Sequence, residues 1–578
     1  SVIIIIGFIL FIAPKHTPIR TQKTSETDTP DENRRHTLKI LMWNPPVSFI
    51  PTSTGVKDTV AQRIFYEPLA AFDEKGELIP VLAAEIPSIE NGGLSGDAVT
   101  WKLKKNVTWS DGEPFTAKDV DFTHRFHLNP AIGSAQGLPH KNIKHLEIID
   151  QHTVRLYFKS VTPFWADAFV GADQCILPQH ILEPYNGPSH KELHTNVLPV
   201  GTGPYRVIPP GIEFLAGSED KEEKKTRIIL ERNPYYRGKK PFFKNVEIRG
   251  GISPLEAARL SIGLGKADFA WNLTVSKDIL EELRRTGVGK AAAAFTTTIE
   301  LIDLNQTDPA KGSELAHPHP ILTDLRVRQA IAHSIDRKAI ARFYGETSGI
   351  PANRAVTTIA PPGRENLTYY PFDLKKAAAL LEAAGWSDSD GDGIRDKEGR
   401  KLELTFQGSR TTVIQQTQRL IQKNLKSVGM DINLRATDTS VYYSGNLDDP
   451  RNSTRFSADM QEANWSAYSA DPSVFLSFWT CKDNIPQKNN NWKGWNDRRW
   501  CSPEYDRLYQ KVIRELDQQK RHDLLVKMND MIAEEAISIP IIRLARIQGL
   551  APDIEGFAAN PWDVATWNIS EWRRTGGK

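Results

Sequence analysis

The chain has 578 residues, and its 73 Lys and Arg stand against 71 Asp and Glu, a formal charge of +2. One hydrophobic core rarely organises a chain this long, so two or more packed lobes are expected. No long basic run interleaved with aromatics is present, which argues against nucleic acid as a partner, and 39% hydrophobic with 25% charged residues describe a globular body. The count of 14 Trp against 5 Met makes rigid aromatic surface available for binding.

In chain order, Val2 to Ala13 is an unbroken apolar run followed by Pro14 and a polar tract to His36. Its length suits the core of a signal peptide better than a full span of about 20 residues. Residues 1–13 are therefore expected to be a signal or membrane-anchor remnant, and 14–36 a disordered linker. An exported chain lies in the periplasm or another extracytoplasmic space, associated with the membrane through this segment where it is not cleaved. A buried strand is the plainer alternative.

From Thr37 the pattern becomes globular. A strand over Leu38–Trp43 leads into a turn at Asn44-Pro45-Pro46, residues 58–67 read as a helix, and 99–105 and 152–158 alternate with period two as strands. WSDG at 109–112 is a turn in which Asp-Gly tolerates positive φ, and GTGPY at 201–205 reads as a bend that glycine permits. Neither a Lys nor a helix start follows GTGP, as a phosphate loop requires.

After about Thr298, helices of period 3.6 alternate with short strands. A helix over 374–384 has Asp373 as N-cap and Gly385 just past its end; a strand at 402–406, a helix at 411–428 closed by Gly429 and a strand at 431–435 follow. This order predicts a βαβ unit in a parallel sheet. One last helix over about 503–535 leads into an apolar strand, 538–544, that returns the chain toward the first lobe.

Between the first of these helices and the strand at 402, Asp388, Asp390, Asp392, Ile394 and Asp396 alternate around glycines, the oxygen-donor pattern of hard cations. The loop resembles the first half of an EF-hand, with Gly399 where the bidentate Glu is expected. A structural Ca²⁺ and a plain Asp-Gly turn both fit. No cofactor is otherwise required. In an oxidising compartment Cys481 and Cys501, with 19 polar, Trp-rich residues between them, could close a disulfide loop; three free thiols are the alternative. His190 and His194 lack the HExxH order of zinc hydrolases, and His317-Pro-His319 reads as an extended surface turn that keeps a transition-metal ligand open. No GxSxG elbow or Cys/His nucleophile motif occurs, so no enzyme is expected.

Several segments share an order with a known family: Tyr66–Leu69, Pro80–Glu85, Val107–Thr123, Pro199–Tyr205, Arg232–Tyr236, Gly265–Ala270, Leu325–Ile340, Glu382–Trp386, Ser469–Trp479 and Asn490–Leu508. Together they resemble the solute-binding proteins that include the bacterial dipeptide-, oligopeptide- and nickel-binding proteins, family 5. The resemblance implies an α/β fold of the two-lobed periplasmic-binding-protein type (type II, the large cluster with an extra subdomain in lobe I), with hinge strands between the lobes. Lobe I with its inserted subdomain is placed at 37–297, lobe II at 298–540, and the return to lobe I at 541–578. The implied function is that of a monomeric receptor of an ABC importer, delivering peptides or peptide-like solutes to separate permease and ATPase subunits.

In peptide-binding members an Asp three residues after a Trp and four before a Pro pairs with the ligand's α-amino group. Here the frame runs from Trp465 to Pro472, and Tyr468 holds that position. A phenol is a poor substitute for a carboxylate opposite an ammonium. Asp471 could take over the charge, the ligand could be N-blocked, or a neutral ligand could stack on Trp465 and Tyr468. Asn464 belongs to the same motif. Trp43, Asn44 and Trp271 are weaker candidates from the opposing lobe. An oligosaccharide or nickel-chelate receptor, or an extracytoplasmic sensor on the same fold, remain alternatives.

Overall fold

The computed structural model of the chain describes residues 35–575 apart from 47, 52–55, 135, 188, 190–196, 216–224, 346–347, 357–368, 445, 466–470 and 482–483. The expected N-terminal segment (1–13), nearly all of the linker, Tyr468, His190 and His194 lie outside the described residues. Among the described residues no helix is long and apolar enough to cross a membrane.

An eleven-stranded mixed sheet runs through the molecule. In chain order its strands are β1 (Thr37–Met42), β2 (Tyr205–Phe214), β3 (Thr226–Arg232), β4 (Asn245–Gly250), β5 (Phe269–Trp271), β6 (Lys290–Leu304), β7 (Gly349–Pro351), β8 (Glu403–Ser409), β9 (Asp431–Thr437), β10 (Met460–Trp465) and β11 (Ser538–Leu550). Their spatial order is β9-β8-β10-β6-β11-β5-β1-β4-β3-β2, with β7 added beside β11. The expected βαβ unit is present: β8 and β9 pair in parallel, Leu404 opposite Ile432, and the helix Thr412–Lys426 crosses between them.

The apolar residues of the chain gather in separate cores. In the first half, Leu38, Ile40, Phe65, Phe122, Leu230 and Ile248 pack with Leu550 and Trp572 from the C-terminal end. A four-stranded antiparallel sheet (Leu94–Ser95, Ala98–Lys102, Thr153–Phe158, Ile143–Asp150) carries its own core around Trp101, Trp109 and Leu156. The helix Ala117–Leu128 joins the two, giving Val120 to the smaller core and Phe122 and Phe126 to the larger. Thr116 and Asp119 close a capping box at its start, which fixes where the chain enters that helix. In the second half, Ile302, Ile331, Leu404, Phe406, Ile421 and Ile539 form one core, and Trp479, Tyr505, Met528 and Ile532 another.

Two sequence expectations change. The helix placed at 58–67 is Val56–Gln62, because Ile64 and Phe65 then bond three residues back (3.2 and 3.0 Å) and the turn buries Phe65 and Tyr66. The single helix at 503–535 is two, Pro503–Val512 and Gln518–Glu534, since Asp517 accepts from the Lys520 amide (2.9 Å) and caps a new start.

Candidate functional site between the lobes

β6 and β11 pass from one set of cores to the other. Ile302, Leu304, Ile539 and Ile541 are buried with the second half, whereas Leu550 belongs to the first, with Ala292 packed against it. Their register slips on the way: Phe295 faces Ala545 and Ile299 faces Arg543, four steps along β6 against two along β11. Such an insertion bends the strand and raises its twist. Thr296 stabilises the bend, its hydroxyl donating to the Leu544 carbonyl (3.2 Å) and its carbonyl accepting from Arg543 Nε (3.0 Å). The two strands thus have the form of a hinge.

Arg543 and Arg546 stand on this hinge. Burial alone lowers both guanidinium groups from the usual arginine range, with no carboxylate to offset it. Arg543 also lies 5.9 Å over the Phe295 ring. Arg546 and Gln548 line a small pocket with Trp271, Thr296, Asn560 and other residues, a cavity of about 20 Å³.

Aromatic candidates flank the hinge at both ends. Trp43 stacks on Trp271 with ring centroids 6.4 Å apart and planes at 13°. Trp271 is buried, and Trp43, just past β1, is 36% exposed; Asn44 follows it, half-buried. At the other end Trp465 pairs with Ile299, itself opposite Arg543. Trp271 follows Ala270, which pairs with Gly549, so it lies level with Gln548. From Arg543 to Gln548 β11 covers ~17 Å at about 3.3 Å per residue, the span of roughly five extended residues.

Trp465 is half-buried against Phe478 (5.4 Å) and Trp495 (6.3 Å), with Arg498 4.9 Å from its ring. Arg498 is fully buried and held by Asp303 at 2.8 and 2.9 Å. The Trp465 indole N–H is buried with no acceptor among the described residues. Asn464, its neighbour on β10, is exposed. Asp471 has structural partners: it caps the helix Pro472–Leu476 and pairs with Arg521 at 2.7 Å, so its charge is already balanced.

The other expected sites are elsewhere. Asp388, Asp390 and Asp392 bring carboxylate oxygens within 4.8 Å of one another, close enough to share a cation. The Lys401 ammonium supplies positive charge there, 2.6 Å from Asp390 and 2.9 Å from Asp392. Ile394 donates its amide to Asp392 (2.8 Å), and Asp396 turns away to the Ser389 hydroxyl and amide. Cys481 and Cys501 form the disulfide, and Cys175 is a buried free thiol. His319 is not on a surface turn: it is buried, its Nδ1 accepts from the Ile321 and Leu322 amides, and its Nε2 donates to Asp459 at 2.8 Å. Both nitrogens are committed, which removes it as a metal ligand.

Sequence reading missed Arg543, Arg546 and Trp495. The signal for the first two was two arginines in an otherwise apolar strand; Trp495, 49% exposed and stacked on Phe478, had none beyond its residue type.

Residues 77–487 match the family of bacterial extracellular solute-binding proteins, family 5. The chain belongs to this family. It is 25% identical over 481 residues to the oligopeptide-binding protein AppA of Bacillus subtilis, covering 80% of this chain and 81% of that one. To the nickel-binding periplasmic protein of Escherichia coli it is 23% identical over 502 residues, 86% of each. Among solved structures, the murein tripeptide binding protein MppA in its unliganded open form superposes with a TM-score of 0.73 at 20% identity, covering 93% of this chain and 97% of that one. Family 5 membership and the fold agree with the two-lobed α/β architecture, and the family's character is that of a solute-binding receptor.

Proposed function

We propose that this chain is the substrate-binding receptor of an ABC importer, capturing peptides or peptide-like solutes outside the cytoplasmic membrane and delivering them chemically unchanged to a permease and its ATPase subunits. The observation that carries this reading is the hinge itself: two strands shared by separate cores, with stacked tryptophans at one end, Trp465 and Trp495 at the other, and arginines between. Ligand bridging both ends favours the closed arrangement, and closure is what a permease can read. The names of the relatives support a peptide more than a nickel chelate, and His319 has no nitrogen to give a metal.

The reading is tested by native mass spectrometry of the protein purified from its own host, then denaturation and identification of what is released. Peptides support the proposal; a sugar, a metal chelate or nothing at all takes the word peptide out of it. Once a ligand is in hand, Trp465→Ala should weaken binding about fivefold, the worth of ~1 kcal/mol for an aromatic contact. Unchanged affinity would remove Trp465 from the site.

A further inference from the structure

Arg546 lies where the hinge strand meets the pocket beside the stacked tryptophans, and the polar side chains around it are already engaged. Gln548 accepts from the Asn272 amide (2.9 Å), and Asn560 donates to the Phe72 carbonyl while accepting from the Trp562 amide (2.8 Å each). Thr296 donates to Leu544. The pocket's carboxylate, Asp563, is buried against Arg63 at 3.4 Å and accepts from the Val564 amide. Among these polar groups the Arg546 side chain alone has no hydrogen bond, ion pair or ring contact among the described residues, its backbone being paired in the ladder with β6.

A guanidinium carries five N–H donors in a planar fork, and half-burying it without an acceptor is unfavourable. The arrangement makes sense when an acceptor arrives from outside the chain. We propose that Arg546 receives a carboxylate of the ligand, the group whose two oxygens match the guanidinium fork. Trp271 walls the same pocket, and Trp43 continues that aromatic surface to solvent, so the apolar part of an acidic ligand would lie against the rings. The source of the carboxylate is the C-terminus of a peptide or an acidic side chain. This inference rests on the receptor reading above and adds the charge of what is received.

The test is affinity selection by wild type and Arg546→Gln from one mixture: short peptides as free acids and as C-terminal amides, with Glu and with Gln, together with non-peptide organic acids and neutral oligosaccharides. Wild type should retain carboxylate-bearing molecules, and Arg546→Gln should hold them at least tenfold more weakly. Loss on amidation assigns the C-terminus; loss on Glu-to-Gln replacement in the peptide assigns the side chain. Retention of organic acids in an Arg546-dependent way would keep this inference and sink the peptide reading. Retention of neutral molecules only, of nothing, or of the same acids equally by both proteins would overturn it. Because Arg546 holds nothing in the fold, Arg546→Gln should melt no lower than wild type; should it fail to fold, Arg546→Lys, with the charge but not the fork, takes its place and should bind acids less tightly than wild type.

Discussion

A Cβ at Gly201 would stand 1.8 Å from the Phe65 carbonyl oxygen, and one at Gly203 would meet the Ile64 carbonyl at 2.7 Å. Neither glycine has positive φ. The GTGPY stretch bends at 202–204 as its composition suggests, and it is also a place where two backbones touch, with the Gly203 amide donating to Phe65 at 2.9 Å. Gly201→Ala should therefore lower the Tm markedly, since backbone on both sides must shift; an alanine variant melting like wild type would contradict the contact. At Gly112 the sequence argument holds as made, because φ there is +103° and the WSDG turn needs it. The difference is physical: a turn is encoded by neighbours in sequence, whereas a close approach depends on a segment more than a hundred residues away.

The disulfide joins the ends of a segment that touches the candidate site. Cys481 and Cys501 lie with Cα atoms 5.0 Å apart, and between them Trp495 meets Trp465 while Arg498 reaches Asp303 on β6. Cys501→Ser should cost about 3 kcal/mol on a chain-entropy account, read in a denaturant titration, and should weaken ligand binding because the Trp495 face loses its anchor. Full affinity in the unbridged protein would show that the loop orders itself without the bond. Elements of this kind were partly legible. The βαβ unit followed from periodicity and the stop at Gly429, and the helix before it from its cap at Asp373, but the pattern over 503–535 concealed a break, because both helices bury an apolar face and the Asp517 cap starts the second.

Two buried clusters give the whole molecule opposing responses to pH. In the first half His124, His127 and His140 pack together, His140 against Gln174 and His127 against Ser134. Burial lowers all three, His127 from 6.5 to about 4. The folded protein keeps these rings neutral while the unfolded chain binds protons, so stability is full above pH 6.5 and falls as pH drops toward 4. For His127 alone this is on the order of 3 kcal/mol. His127→Gln should flatten the Tm profile between pH 6.5 and 4. In the second half burial raises Glu300 to about 7, while Tyr344 donates to it, and raises Glu462 as well, whose oxygens have no hydrogen-bond partner among the described residues. Here the sign is opposite: stability is full below pH 4.5 and is lost as pH rises toward 7. Glu300→Gln should therefore gain stability relative to wild type across that rise, and a parallel pair of curves would refute it.

Residue order made the local features legible: strands and helices from periodicity, turns from Gly and Asp, and a family resemblance spread along the chain. These survive because each depends on residues within one turn or one strand of each other. The tertiary structure alone decided which polar groups are satisfied. Asp471 looked like a free carboxylate until Arg521 appeared beside it, and His319 like an open ligand until two amides and Asp459 enclosed it. Arg546 looked like one arginine in a strand, and only the pocket around it shows a charge left without an answer, because desolvation and partnership are properties of the assembled interior.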